Sequence, residues 1–332
     1  MTATQVTKTP STRRRARTLA AATAATAATL AGLALALGAL APTAALAATK
    51  TNCAATPSAC GYPDATNTGV PSTIKLLTVP TQVSSGPGWA YNATDQYVNV
   101  TGNGANLTGL YIPYQLNIAA SNVTVNDDEI VTNGDFGVSL GNNVSGVTIE
   151  NSTIAGQNAT TGRVSYAIDD VYGTSTGTDV QGNNISDFRT AVALSTGQIT
   201  GNYIHNPGYI SGDHTNGIFD AGSTQPLTIN DNTIFNSLGQ TDAISLDASA
   251  SGQTVANKTV TNNFLAGGGY TIYGGDSLSN TTSNIVITGN RFGGQYYSTS
   301  GQYGPDAYYS TTGSGNTWSN NFWDTTGVTF TP

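Results

Sequence analysis

An all-β solenoid is the fold class this sequence predicts, on three observations. A six-residue phrase recurs along the chain: an aliphatic residue, any residue, a turn residue, then usually Asn, any residue, and a second aliphatic residue. It reads VNDDEI from Val125, IENSTI from Ile149, VQGNNI from Val180, ITGNYI from Ile199 and INDNTI from Ile229. VTNNFL from Val260, ITGNRF from Ile287 and WSNNFW from Trp318 complete the series, and LTGLYI from Leu107 is a degenerate early copy. Successive copies start 18 to 31 residues apart, the length of one solenoid coil rather than of a blade or hairpin. Composition agrees: few Lys and Glu, many β-branched residues and a turn residue every few positions. No stretch after Ala48 sustains a helical period.

Residues 1–47 read as an export leader that precedes the fold. Lys8, Arg13, Arg14, Arg15 and Arg17 form a basic start, Leu19 to Leu40 an Ala/Leu-rich apolar run, and Ala45-Leu46-Ala47 a small-x-small cleavage site. A secreted mature chain beginning near Ala48 is the expectation, and nothing later approaches membrane-spanning length. Without those five cations, six basic residues face 19 acidic ones, a net charge of about −13. Such a surface repels nucleic acid and anionic membranes, so neither is an expected partner. A polyanionic substrate would need a local cation, Arg or Ca²⁺, to overcome that field. Cys53 and Cys60, the only cysteines, fit one short-loop disulfide in an exported chain. Two cysteines and two distant histidines are a poor zinc set.

Within each phrase the flanking aliphatic residues point inward and the middle turns a corner. The third position holds Asp127, Asn151, Gly182, Gly201, Asp231, Asn262, Gly289 and Asn320, residue types that tolerate a left-handed backbone. The fourth holds Asp128, Ser152, Asn183, Asn202, Asn232, Asn263, Asn290 and Asn321. Stacked at a coil rise of ~4.8 Å, these amides can bond to one another and to the turn backbone. An unpartnered buried amide costs about 1–3 kcal/mol, so six in register make sense as a ladder.

That ladder at a tight turn resembles the right-handed parallel β-helix of the pectate-lyase superfamily, over about residues 96–332. The phrases CGYPDATNTGVP from Cys60, IHN from Ile204, HTNGI from His214 and GGGYTIYGG from Gly267 also resemble a group of secreted bacterial β-helix proteins. In that group the third phrase reads His-x-Asp-Gly-Ile-Gln. Here Asn216 replaces the acid and Phe219 the amide. The expected fold is therefore an all-β, right-handed, single-stranded parallel β-helix of about nine coils with an internal Asn ladder. Residues 48–95 are expected to form a disulfide-containing N-terminal cap, using the apolar run Ile74-Lys75-Leu76-Leu77. Trp318 and Trp323 stand where Ile stands elsewhere and are expected to plug the other end.

Between phrases a second strand recurs: FGVSL at Phe136, YAIDDV at Tyr166, TAVAL at Thr190, NGIFD at Asn216, DAISL at Asp242 and YTIYG at Tyr270. Val138, Ile168, Val192, Ile218, Ile244 and Ile272 align as its inward stack. Strand alternation then sends two rows outward. One is Gly137, Ala167, Ala191, Gly217, Ala243 and Thr271, a floor of small residues. The other is Ser139, Asp169, Ala193, Phe219, Ser245 and Tyr273. The coil from Val180 to Ile199 takes 19 residues while its neighbours take 31 and 30, the excess falling at residues 155–163 and 205–215. A short coil between two long-looped ones predicts a trough with Ala191 and Ala193 on its floor and Arg189 at its rim. Asp169 and Asp170 would line one side, and Asp213, His214 and Asp220 the other. In enzymes of the superfamily this loop-bounded face takes glycan chains.

The candidate catalytic residues are Asp169, Asp170, Arg189, His214 and Asp220. Candidate substrate contacts are Asp213, Asn216, Phe219, Asp242, Tyr270 and Tyr273, and the excess of Tyr over Phe, 16 against eight, suits stacking on sugar rings. A lyase acting on a uronic-acid glycan is the slightly preferred expectation. It needs the sugar carboxylate neutralised and a base beside the carbon acid. Asp169, Asp170 and Asp220 would then hold Ca²⁺ as a cofactor, with Arg189 or His214 near the proton. An inverting hydrolase would use Asp170 and Asp220, two coils and ~9.6 Å apart. A non-catalytic glycan-binding or adhesion β-helix is the third reading, and Asn216 in place of an acid favours it.

Overall fold

The two aliphatic residues of each phrase belong to different sheets, and the bend between them sets the architecture. In the computed structural model, which describes residues 52–157, 163–247, 251–277 and 280–332, the chain winds as a parallel β-solenoid. The leader and most of the 155–163 loop lie outside the described residues. Three sheets line the solenoid. Sheet I has ten strands, from Leu77–Thr78 to Phe322–Trp323; sheet II has eleven, from Ser85–Gly86 to Gly304–Ala307; sheet III has nine, from Asn106–Thr108 to Thr317–Ser319. A typical coil passes from Leu227–Asn230 in sheet III to Thr233–Asn236 in sheet I and then to Asp242–Ser245 in sheet II. The last phrase supplies strands to sheets III and I alone, so full coils are fewer than the nine recurrences.

The bend from sheet III to sheet I carries the ladder. All eight third-position residues have φ between 48° and 70°, which explains why only Gly, Asn and Asp occupy them. Each fourth-position side chain is fully buried. Asn183, Asn202, Asn232, Asn263 and Asn290 each donate both backbone N–H and Nδ2 to the Oδ1 of the next asparagine at 2.9–3.0 Å. The second Nδ2 hydrogen goes to a carbonyl one coil back, from Ile149 to Ile287, at 2.8–3.0 Å. Every donor and acceptor in that series is therefore used.

Aliphatic stacks fill the interior. Val138, Ile168, Val192, Ile218, Ile244 and Ile272 pair in register along sheet II, and all are fully buried. Each contributes about 1.5–3 kcal/mol of burial. The row of small residues does not form an outer floor. Gly137, Ala167, Ala191, Gly217, Ala243 and Thr271 are buried in the corner where sheet I turns into sheet II. A β-carbon added at Gly137 would lie 2.9 Å from Ile154 Cγ2, and one at Gly217 would collide with Ile234. Alternation fails because the chain bends there, and the acute corner admits small side chains alone.

The two ends are closed differently. Trp318 and Trp323 pack against the core with Phe330, which stacks on Trp323 at 4.4 Å and accepts a hydrogen bond from Trp318 Nε1 at 3.0 Å. At the other end an antiparallel hairpin, Ser85–Gly86 with Trp89–Asn92, continues to Tyr97–Val100 and buries Trp89. The disulfide Cys53–Cys60 forms, but its segment is a strap along the outer face of sheet I. Cys53 joins Phe235, Phe264 and Ala266 in a separate apolar cluster, Tyr62 meets Phe264 at 5.3 Å, and Arg291 lies 5.6 Å over the Tyr62 ring. Farther on, Gly69 N–H bonds to Gly182 O at 2.9 Å and Val70 N–H to Thr153 Oγ1 at 3.2 Å. Sheet I carries aromatic residues on its outside, and the strap covers them.

Candidate functional site

Sheet II presents an outward row whose register runs Ser139, Asp169, Ala193, Phe219, Ser245, Tyr273. Two clefts of about 280 Å³ each open along it. One is lined by Tyr166, Asp169, Ala193, Phe219 and Ala221, the other by Asn117, Phe136, Ser139 and Gly141, and the exposed turn residues Val171 and Tyr172 stand between them. The walls thus come from the bend into sheet III. The loop 205–215 lies at the opposite corner and lines neither cleft.

Of the predicted residues, Asp169, Asp170 and Phe219 line one cleft, and the charge of Arg189 acts on Asp169 from nearby. Phe136 and Tyr166 stack at 5.8 Å with 17° between their planes, and the Arg189 guanidinium lies 4.7 Å over Tyr166. The column ring–ring–guanidinium holds the cation against Tyr166, itself a cleft-lining ring, by cation–π attraction, and the same charge also acts on Asp213. Arg189 Nε is buried and has no hydrogen-bond partner among the described residues. Burial pushes the Asp169 carboxyl up to about 6, the charge of Asp170 adding to the shift and that of Arg189 opposing it. A carboxyl in that range exchanges protons near neutrality.

The other predicted carboxylates are bound by protein partners, Asp170 while it lines the same cleft as Asp169. Asp170 caps the following turn, accepting from Thr174 N at 3.3 Å and from Ser175 N and Oγ at 3.0 and 2.7 Å. Asp220 is fully buried against Lys258 Nζ at 3.0 Å, and that ammonium also donates to Ser195 O, Ser223 Oγ and Gln225 O. Burial drives both members of the pair toward neutrality, raising the acid and lowering the amine, while their mutual attraction opposes it. Asp213 is held by Arg163 Nε and Nη2 at 2.8 and 3.0 Å, which fastens the loop to the start of the neighbouring sheet II strand. His214 is exposed beside it and lines neither cleft.

Among the residues expected to contact substrate, Asn216 and Asp242 bond to each other. With its nitrogen toward the acid, the Asn216 amide donates to both Asp242 oxygens at 3.2 and 3.0 Å. Asp242 is fully buried, and that burial, with the charge of Asp247, pushes its carboxyl well above the usual range. Phe219 lines the Asp169 cleft, and Tyr270 and Tyr273 lie farther along the same face. A calcium site from Asp169, Asp170 and Asp220 does not fit. Asp170 is consumed by its turn and Asp220 by Lys258, and no group of three His, Cys, Asp or Glu among the described residues could hold a metal.

Sequence reasoning missed Tyr166 and Tyr172 as cleft residues and Lys258 as a partner. Lys258 carried a readable signal: it aligns with Leu227 and Ile285, an inward position, one coil beyond an acid in a leucine slot. Among the described residues no helix is long and apolar enough to cross a membrane. No protein-family model, curated protein or solved structure matches this chain.

Proposed function

We propose that this protein is a secreted, pectate-lyase-like polysaccharide lyase that binds a uronic-acid glycan along sheet II and cleaves it by β-elimination. The observation that carries this reading is the Arg189 guanidinium held over Tyr166 near Asp169, its Nε without a hydrogen-bond partner among the described residues. On an acidic protein this cation is the counter-charge a sugar carboxylate requires. Arg189 holds the carboxylate and, as the neighbouring C–H bond breaks, stabilises the negative charge that spreads onto it. Asp169 in its ionised form takes that proton. The electron pair forms the new carbon–carbon double bond, the bond to the 4-linked oxygen breaks, and the departing oxygen takes a proton from Asp169 or water. The alternative acid pair for hydrolysis has less support, because Asp220 is enclosed with Lys258 and Asp170 is bound within its turn. The test is a panel of polygalacturonate, alginate and hyaluronan scored for ultraviolet absorbance of the unsaturated product and for new reducing ends. Absorbance that disappears in Asp169→Asn and Arg189→Gln is the expected outcome. Reducing ends without absorbance would turn the reading to hydrolysis, and binding without product would turn it to a docking surface.

A further inference from the structure

Beyond the cleft, the same outward row reaches a cluster of four tyrosines. Register carries Asp169 to Ala193, Phe219, Ser245 and Tyr273 one rung at a time, a run of four rungs or ~19 Å. Tyr273 meets Tyr270 and Tyr308 at 5.7 Å each, and Tyr270 meets Tyr303 at 5.8 Å. Tyr303 and Tyr308 remain 66% and 54% exposed, so these two rings are not held by the core. Tyr308 is also fixed at φ 56°, a conformation that bulky residues rarely adopt. Backbone bonds on either side hold it there, from Gly274 N to Ala307 O and from Asp276 N to Tyr308 O, each at 2.8 Å.

The spacing along the row suits an extended polymer. Phe219 and Tyr273 are two rungs apart, ~9.6 Å, about the length of two sugar units in an extended chain. Flat rings with polar edges stack on the apolar faces of pyranoses, while their hydroxyls meet the sugar hydroxyls. We infer that Tyr270, Tyr273, Tyr303 and Tyr308 form a distal glycan subsite, which holds a chain running parallel to the solenoid axis from the Asp169 cleft across Phe219. The inference rests on the glycan reading of sheet II and adds a direction and a minimum length. It commits the face to long chains, with binding energy collected remote from the reacting bond.

Native gels cast with polygalacturonate, or with neutral hydroxyethylcellulose, test it on the full-length protein. Tyr303→Ala with Tyr308→Ala alters the two exposed rings, and Arg189→Gln reports on the cleft separately. The tyrosine variant should need roughly ten times more polygalacturonate for the same retardation, from the loss of two stacking contacts. Its rate on an oligogalacturonide too short to leave the cleft should match the wild type. Unchanged retardation of the tyrosine variant, or wild-type protein that neither polymer slows, would overturn the subsite. So would an equal loss on the short oligomer, which signals general damage. Retardation lost in the tyrosine variant but kept in Arg189→Gln would leave the subsite standing and remove the cleft chemistry.

Discussion

Two regions of this molecule take polar groups out of water, and they treat them in opposite ways. In the bend between sheets III and I, each asparagine amide from Asn183 to Asn290 has all its hydrogen bonds made inside the protein. On the outer face of sheet II, Arg189 Nε is buried without a hydrogen-bond partner among the described residues, and the Asp169 carboxyl is shifted by burial toward neutrality. Satisfied groups stabilise and are inert, while unsatisfied ones cost free energy and can act on something else. The contrast separates residues whose polar groups hold the coil from residues whose polar groups the described residues leave unmet. Asp220 and Lys258 belong to the first kind although they are charged, because they face each other.

Breaking the contrast on the sheet II side should give the largest effect. Asp169→Asn is expected to lower turnover on the responsive polysaccharide by about 10²–10⁴-fold without loss of folding stability. The wild-type rate should climb as pH rises through about 6, where the base ionises. Steady-state rates and urea melts on the same preparation decide it, and a variant that loses both would make Asp169 structural. Next comes the buried pair. Lys258→Met leaves the Asp220 carboxyl alone and should cost about 3–5 kcal/mol, whereas adding Asp220→Leu, the residue of neighbouring coils at that slot, should restore most of it. A double variant as weak as the single one would show that the pair is not self-contained.

Smaller effects probe the ladder. Asn232→Ala removes the acceptor used by Asn202 N–H and Nδ2, and about 3 kcal/mol of stability should go with it, measured as a shift in urea midpoint. The smallest change lies at the ladder's first rung. Asp128 accepts from Leu110 N at 2.7 Å, but its second oxygen is buried without a partner where the asparagines place a donor. Burial pushes this carboxyl up to about 7, with the charge of Asp127 adding and the Leu110 bond opposing. A folded-state acid raised above its ordinary range favours folding while protonated. Stability should therefore fall between about pH 4 and pH 7, by about 2 kcal/mol across the upper part of that window. Asp128→Asn should flatten the profile, and an unchanged profile in the variant would assign the pH dependence to other groups.

The ladder was legible because its chemistry repeats: a left-handed position followed by an amide leaves the same mark in every coil. The inward stack of Val138 through Ile272 was legible for the same reason. Alternation misled at Gly137 through Thr271, where the chain turns a corner and two successive residues both face in. Carboxylates were harder still. Asp169 and Asp170 are neighbours in sequence and line the same cleft, yet Asp170 is also bound into the following turn, and only the partners in space separate them. The strap escaped because its contacts, from Cys53 to Phe235 and Tyr62 to Phe264, join segments about 200 residues apart with no repeat to announce them.

That strap changes how the molecule should come apart. A stack of repeats ordinarily touches only its nearest neighbours and can fray from either tip, one rung after another. Here a single covalently looped ribbon lies across rungs from Thr153 to Arg291, so loosening any one of them also disturbs a band shared with the rest. The rungs the strap crosses are thereby coupled lengthwise, and they should melt together rather than one at a time.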